Sequence, residues 1–226
     1  MIRNRLVALI YRSAAFSLSV FFLVYYAQFV ASQGFNPNYV YNYWGYLSGL
    51  YNAIFFAAMT VLSAFDLRHG RKGNPVIPYM PYGLSVVYFS LINFFGYFVY
   101  LVPFQVNGFS FAEIALFILM PLLTIAEWIL FEEKGTVKFN IVPIWVLLPG
   151  IYAAFELIRP RIWGDAPLYD GSFYPYHFMN FEDGGVGPTI GKLIIATALV
   201  TALAFLLIFL NDLLAGKFRK RVSTED

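Results

Sequence analysis

The chain contains no cysteine and only two histidines among its 226 residues. Disulfides, thiolate nucleophiles and cysteine-ligated metals are therefore excluded. The histidines, His69 and His177, lie far apart and neither sits in a metal-spacing motif, so no metal or other cofactor is expected. Charge is scarce as well: charged residues make up 12% of the chain and the formal net charge is +2. No soluble basic face with interleaved aromatics can be assembled, which excludes a nucleic-acid partner. What fills the chain instead is apolar. Its hydrophobic share is 60%, well above the roughly 45–50% of ordinary soluble domains.

That apolar content falls into six stretches: Ser13–Val30, Tyr46–Phe65, Met80–Val102, Phe111–Phe131, Ile141–Leu157 and Thr189–Leu210. Each approaches the ~20 residues a helix needs to cross ~30 Å of hydrocarbon. Helices satisfy their backbone polar groups internally, as a membrane demands. The expected fold is an all-α, polytopic membrane bundle of six transmembrane helices. No linker, charge block or low-complexity segment divides residues 1–226, so one domain is expected. The first stretch has the outline of a signal peptide, with arginines before it and Ala31–Ser32 after it. It exceeds the ~7–15 residues of an h-region, so a retained helix is expected.

The connections set the orientation. Arg3, Arg5 and Arg12 precede the first stretch; Arg68, Arg71 and Lys72 follow the second; Lys134 and Lys138 follow the fourth; Lys217, Arg219, Lys220 and Arg221 follow the sixth. Twelve of the fifteen basic residues thus fall on one side. The positive-inside rule places both termini in the cytoplasm of a cell membrane. A wrong span count would scatter this pattern.

The external connection 159–188 is the longest, and long loops are often functional. Its Gly184-Gly185-Val186-Gly187-Pro188 run lacks the preceding strand and spacing of a nucleotide fingerprint, so it reads as turns. Pro188 suits the first turn of the sixth helix. Aromatics make up 20% of the chain and gather on the external side, at Tyr39, Tyr41, Tyr43, Trp44, Tyr46, Trp163, Tyr169, Phe173, Tyr174 and Tyr176. Belts explain part of this; an aromatic cap over a cavity explains the asymmetry. Pro121, Pro143 and Pro149 each remove an N–H, and a neighbouring helix must then satisfy a carbonyl.

Polar residues inside a membrane are functional candidates by default. Ser48 and Asn52 lie one turn apart on one helix face, flanked by Gly45 and Gly49, whose spacing admits a close helix neighbour. Ser48 reads either as a nucleophile or as a small packing residue. By topology Ser48, Glu113 and Glu156 share the external half. Glu127 reads as reaching the internal interface, and Asn93 as an interhelical hydrogen bonder. His69 reads as a solvated turn residue; His177 reads as a loop aromatic or a base.

Several stretches together resemble the androgen-induced-protein family of six-helix membrane proteins, in its bacterial form. They are Pro121-Leu122-Leu123 with Glu127-Trp128-Ile129-Leu130-Phe131 and Lys134-Gly135; Trp145, Pro149 and Tyr152; Tyr174-Pro175-Tyr176-His177-Phe178; and Tyr46-Leu47-Ser48 with Asn52. The resemblance covers most of the chain in order. It implies the six-helix fold and, from animal members, hydrolysis of fatty acid esters of hydroxy fatty acids by an intramembrane threonine and histidine. Ser48 occupies the threonine position. The histidine position, a turn before Pro121, reads Phe117-Ile118-Leu119-Met120.

A hydroxyl nucleophile needs a base within reach. Two readings follow. In the first, the chain is a non-catalytic membrane protein, either a lipid-binding pseudoenzyme or an accessory subunit with other membrane-protein partners. In the alternative it is an intramembrane ester hydrolase. Ser48 would then be the nucleophile, His177 or Glu113 the base, and Tyr46, Asn52 and Phe117 the substrate contacts. A small transporter is the third reading, weakened by the absence of an internal repeat. In all three, membrane lipids are the surrounding partner.

Overall fold

The computed structural model describes residues 2–34, 43–73, 75, 82–97, 110–163, 173–181 and 185–222, with the backbone alone at Tyr82, His177 and 217–222. The aromatics Tyr39, Tyr41 and Tyr169, the ends of the Met80–Val102 stretch and most of the external connection lie outside the described residues.

Among the described residues there are six long helices: α1 (Arg5–Ser32), α2 (Trp44–Asp66), α3 (Tyr82–Gly96), α4 (Phe111–Phe131), α5 (Val142–Trp163) and α6 (Val186–Val222). Among the described residues no strand occurs. Five of the helices are long and apolar enough to cross a membrane; the described part of α3 is shorter. Helices α1, α2 and α6 exceed their apolar stretches at both ends and α5 runs past its stretch to Trp163, because capping and helical continuation rather than hydropathy set their limits. Helix α4 coincides with its stretch. The side chain of Asn4 accepts from Leu6 N and Val7 N and starts α1 at Arg5, seven residues before the buried Arg12. Ser110 and Glu113 form a capping box that starts α4. Pro143 falls in the first turn of α5, where its missing N–H is harmless.

One narrow stripe of each long helix is buried and the rest faces outward. On α1 the stripe is Ala8, Arg12, Ala15, Ser19, Phe22, Leu23, Tyr26 and Val30, a three- and four-residue alternation. On α2 it is Gly45, Ser48, Gly49, Asn52, Phe56, Met59 and Ser63. These two stripes pack on each other along most of their length. The outward faces carry Phe21, Val24, Ile54, Phe65, Ile151 and Leu199, each about half exposed, as suits contact with lipid.

Helix α3 lies between α2 and α4, while α5 and α6 pair at the edge. Three aromatic donors fasten that edge to the rest. Trp145 Nε1 donates to Ser85 Oγ (2.8 Å), Tyr88 Oη donates to Val200 O (3.1 Å), and Trp128 Nε1 donates to Asn211 Oδ1 (3.4 Å). The Trp145 and Tyr88 rings stack at 4.9 Å.

One end of the bundle gathers the start of α1 and the connections after α2 and α4. Ile2 N donates to Leu130 O, Arg5 N donates to Arg71 O, and Gly135 lies against Ala215 near the end of α6. The basic connections therefore share one end. Below it is called the basic end.

Candidate functional site

Among the described residues, two buried polar clusters lie between the packed helices α1–α4, one in each half. The first surrounds Ser48 and lies where α2, α3 and α4 meet. A Cβ at Gly45 would come within 2.7 Å of Asn93 Oδ1 and of the Phe117 ring, and one at Gly49 within 2.9 Å of Leu116 and Leu23. Only glycine permits this approach. Ser48 and Asn52 are 3% and 1% exposed. Ser90 Oγ donates to Asn52 Oδ1 at 3.0 Å, whereas Ser48 Oγ and Asn52 Nδ2 have no hydrogen-bond partner.

Ahead of Pro121, α4 adopts a π-helical segment over Ala115–Leu119. In that register the Leu116 carbonyl looks to residue 121, a proline without an N–H. Asn93 Nδ2 donates to Leu116 O instead, at 3.3 Å. Asn93 is thus the interhelical donor its position suggests. The extra residue in the turn also swings Phe117 into the bundle. Its ring stacks on Tyr97 (4.2 Å, 10°) and meets Tyr26 and Tyr43 edge-on (6.0 and 5.8 Å). Tyr43 in turn packs on Tyr176, and half-buried Tyr46 lies against the same cluster. The space under the external connection is filled by rings. Among the described residues a groove of about 660 Å³ lies on the outer face of α6 between Ile190 and Phe205, away from Ser48.

The other residues considered as partners of Ser48 are occupied elsewhere or lie beyond description. Glu113 Oε2 accepts from Ser110 N (2.9 Å) and Ser110 Oγ (2.7 Å) in its capping box. Glu156 pairs with Arg159 at 3.1 Å, both buried, and Arg159 also donates to the Phe173 carbonyl. His177 starts a single 3₁₀ turn, His177–Met179, and its side chain lies outside the described residues. Neither glutamate bonds to Ser48.

The second cluster, near the basic end, escapes a reading by charge and hydropathy alone. Arg12, taken there as an anchor preceding the first span, is 1% exposed inside α1. Its Nε and Nη2 both donate to Glu127 Oε1 (2.8 and 2.6 Å), and its Nη1 donates to Ser63 Oγ (2.6 Å). Its guanidinium lies 5.6 Å over the Phe131 ring. Glu127 is equally buried rather than interfacial, and its Oε2 has no partner. The signal for this pair was available: Arg12 falls on the Ala8–Ala15–Ser19 stripe, where a buried cation demands a buried anion.

Just beyond the pair, in the connection after α4, the Glu132 carboxyl is wedged against Gly83, and burial followed by the charge of Glu127 pushes its pKa up to about 8. Lys134 donates to the Trp128 and Glu132 carbonyls and lies over the Trp128 ring. Burial lowers its pKa to about 8. Among the described residues no cluster of His, Asp or Glu could hold a metal ion.

Five helices long and apolar enough to cross a membrane, outward aliphatic faces and internally paired charges suggest a helical membrane protein. Beyond the class, the chain matches no family model, no curated protein and no solved structure.

Proposed function

We propose that this chain is a non-catalytic integral protein of the cell membrane, with six spans and both termini cytoplasmic. It is either a lipid-binding pseudoenzyme or an accessory subunit of a membrane complex, related to the androgen-induced-protein family. The observation that carries the reading is the environment of Ser48. Its buried hydroxyl has no hydrogen-bond partner, and the Phe117 ring occupies the place where the resembled family carries its histidine. Without a base, a hydroxyl loses the ~10²–10⁴-fold that positioned proton transfer supplies. Among the described residues the Phe117, Tyr43 and Tyr97 rings pack together on the Ser48 side of the bundle, which supports the subunit form of this reading. The grouping of basic connections at one end supports the cytoplasmic orientation.

The hydrolase alternative rests on the Ser48–Asn52 face alone. Purified protein incubated with fatty acid esters separates the readings. No turnover above a Ser48→Ala control is expected. That substitution should leave stability unchanged or slightly raised, because it removes an unpaired buried hydroxyl worth about 1 kcal/mol or more. Robust hydrolysis abolished by Ser48→Ala would overturn the proposal, and loss with His177→Ala would name the base.

A further inference from the structure

We propose that the turn joining α2 to α3, together with the residues entering α1, is a binding site for anionic phospholipid headgroups. The inference rests on the membrane reading above and goes beyond it. It begins with how firmly this turn is built. Leu67–His69 form one 3₁₀ turn, and Gly70 (φ 97°) and Gly73 (φ 137°) take backbone conformations that side chains disfavour. Arg5 then ties the turn from inside. Its Nε donates to Asp66 Oδ2 at 2.9 Å, and its Nη1 donates to the carbonyls of His69 and Lys72, both at 3.0 Å. Arg5 N donates to Arg71 O and Gly73 N donates to Arg3 O, so the two chain segments run side by side as a short antiparallel pair.

This arrangement sorts the charges. Asp66, the acid of the turn, is neutralised by Arg5, and Arg5 is consumed in doing so. Arg3, Arg68, Arg71 and Lys72 remain, all exposed, and among the described residues none forms an ion pair with a carboxylate. Four unpaired cations are thus displayed on a fixed scaffold. Placing them costs little further entropy, which is the condition for pre-organised binding. Arginine forks match phosphate oxygens two at a time.

Position selects the source of the phosphate. The Arg68 guanidinium lies 4.7 Å over the ring of Phe65, which is 52% exposed on the outward apolar face of α2. A cation resting on a lipid-facing ring stands at the boundary of hydrocarbon and headgroup. A free phosphate has no use for that ring; a phospholipid meets both.

The test uses the full-length protein in neutral detergent micelles, titrated with phosphatidylglycerol, phosphatidylcholine or inorganic phosphate, with bound lipid counted by native mass spectrometry. Phosphatidylglycerol should bind well above phosphatidylcholine, and high salt should reduce the difference by screening. At about fivefold per cation, Arg68→Gln/Arg71→Gln/Lys72→Gln should weaken phosphatidylglycerol binding about 100-fold. Lys138→Gln, an exposed cation on the other connection at the same end, should weaken it fivefold or less. Thermal unfolding should change little in all variants, since among the described residues these side chains make no hydrogen bond or ion pair and Arg68 rests only on the exposed Phe65 ring. Equal binding of both lipids by the wild type, or a triple variant that keeps its preference, would overturn the site. Competition by inorganic phosphate at matching concentrations would overturn the lipid as its occupant. Failure of the membrane reading looks different: the protein would then appear in the aqueous fraction without detergent.

Discussion

Arg12 and Glu127 offer the sharpest quantitative test of the packing described above. Both side chains are 1% exposed, and both Arg12 donors on Glu127 converge on the same oxygen. Replacing Glu127 with leucine leaves a buried guanidinium with only Ser63 Oγ and the more distant Pro75 carbonyl as acceptors. Replacing Arg12 with leucine strands a carboxylate whose second oxygen already lacks a donor. Each single change should destabilise the protein by about 3–5 kcal/mol, because breaking a buried pair leaves an uncompensated charge. At ~1.4 kcal/mol per tenfold, the unfolding equilibrium should shift about 10²–10³-fold or more. The double variant Arg12→Leu/Glu127→Leu removes both charges and should recover most of that loss, giving a coupling energy of several kcal/mol. Reversible unfolding in mixed micelles, read by tryptophan fluorescence, gives all four corners of the cycle. If the double variant is as unstable as the two singles added together, the pair is not the unit argued here. If neither single change matters, Arg12 reaches water.

Two other predictions concern pH and orientation. For Glu132, raised from 4.5 to about 8, stability is undiminished below 4.5 and falls as pH climbs to about 8. For Lys134, lowered from 10.5 to about 8, the penalty on the charged form persists below about 8 and lifts as pH rises towards 10.5. With Arg12 and Glu127 facing the same carboxyl, thermal unfolding across this range should show a minimum near pH 8, and Glu132→Gln should flatten its acid limb; a steady rise through pH 8 would refute the assignment. Because the chain has no cysteine, Ser172→Cys and Ser223→Cys each give a single reactive thiol. An impermeant maleimide on sealed cells should label Ser172→Cys alone; labelling of both would refute the six-span topology, and labelling of Ser223→Cys alone would invert it.

The helices were legible in the sequence because hydropathy and length are one-dimensional quantities, and Ser13–Val30 or Phe111–Phe131 display them directly. Their ends were less so: α1 begins at Arg5 and α6 runs to Val222, since caps and helical continuation carry polar residues past the apolar stretch. Ser48 and Asn52 fall on one helix face by their spacing alone, and that face is buried. What spacing cannot state is rotation and register between helices. Glu113 and Glu156 share a depth with Ser48 on paper, yet one caps its own helix and the other pairs three residues along its own. The π-helical turn that aims Phe117 inward depends on Pro121 and on Asn93 from another helix, a three-body condition that no single-helix pattern contains.

The Arg12–Glu127 pair also sets an order of events during synthesis. The partners are 115 residues apart, so α1 leaves the ribosome long before α4 exists. At about 5–20 residues per second, the interval is on the order of ten seconds. Arg12 lies about 10 Å along α1 from its start, at 1.5 Å per residue. Until α4 arrives, Ser63 of α2 can offer it a hydroxyl but no charge. An arginine held in hydrocarbon without an anion costs about 2.5–3.5 kcal/mol near a helix centre. In a membrane, the first helix alone would therefore favour a position with its arginine at the headgroups, and full burial of Arg12 would require the glutamate of the fourth helix.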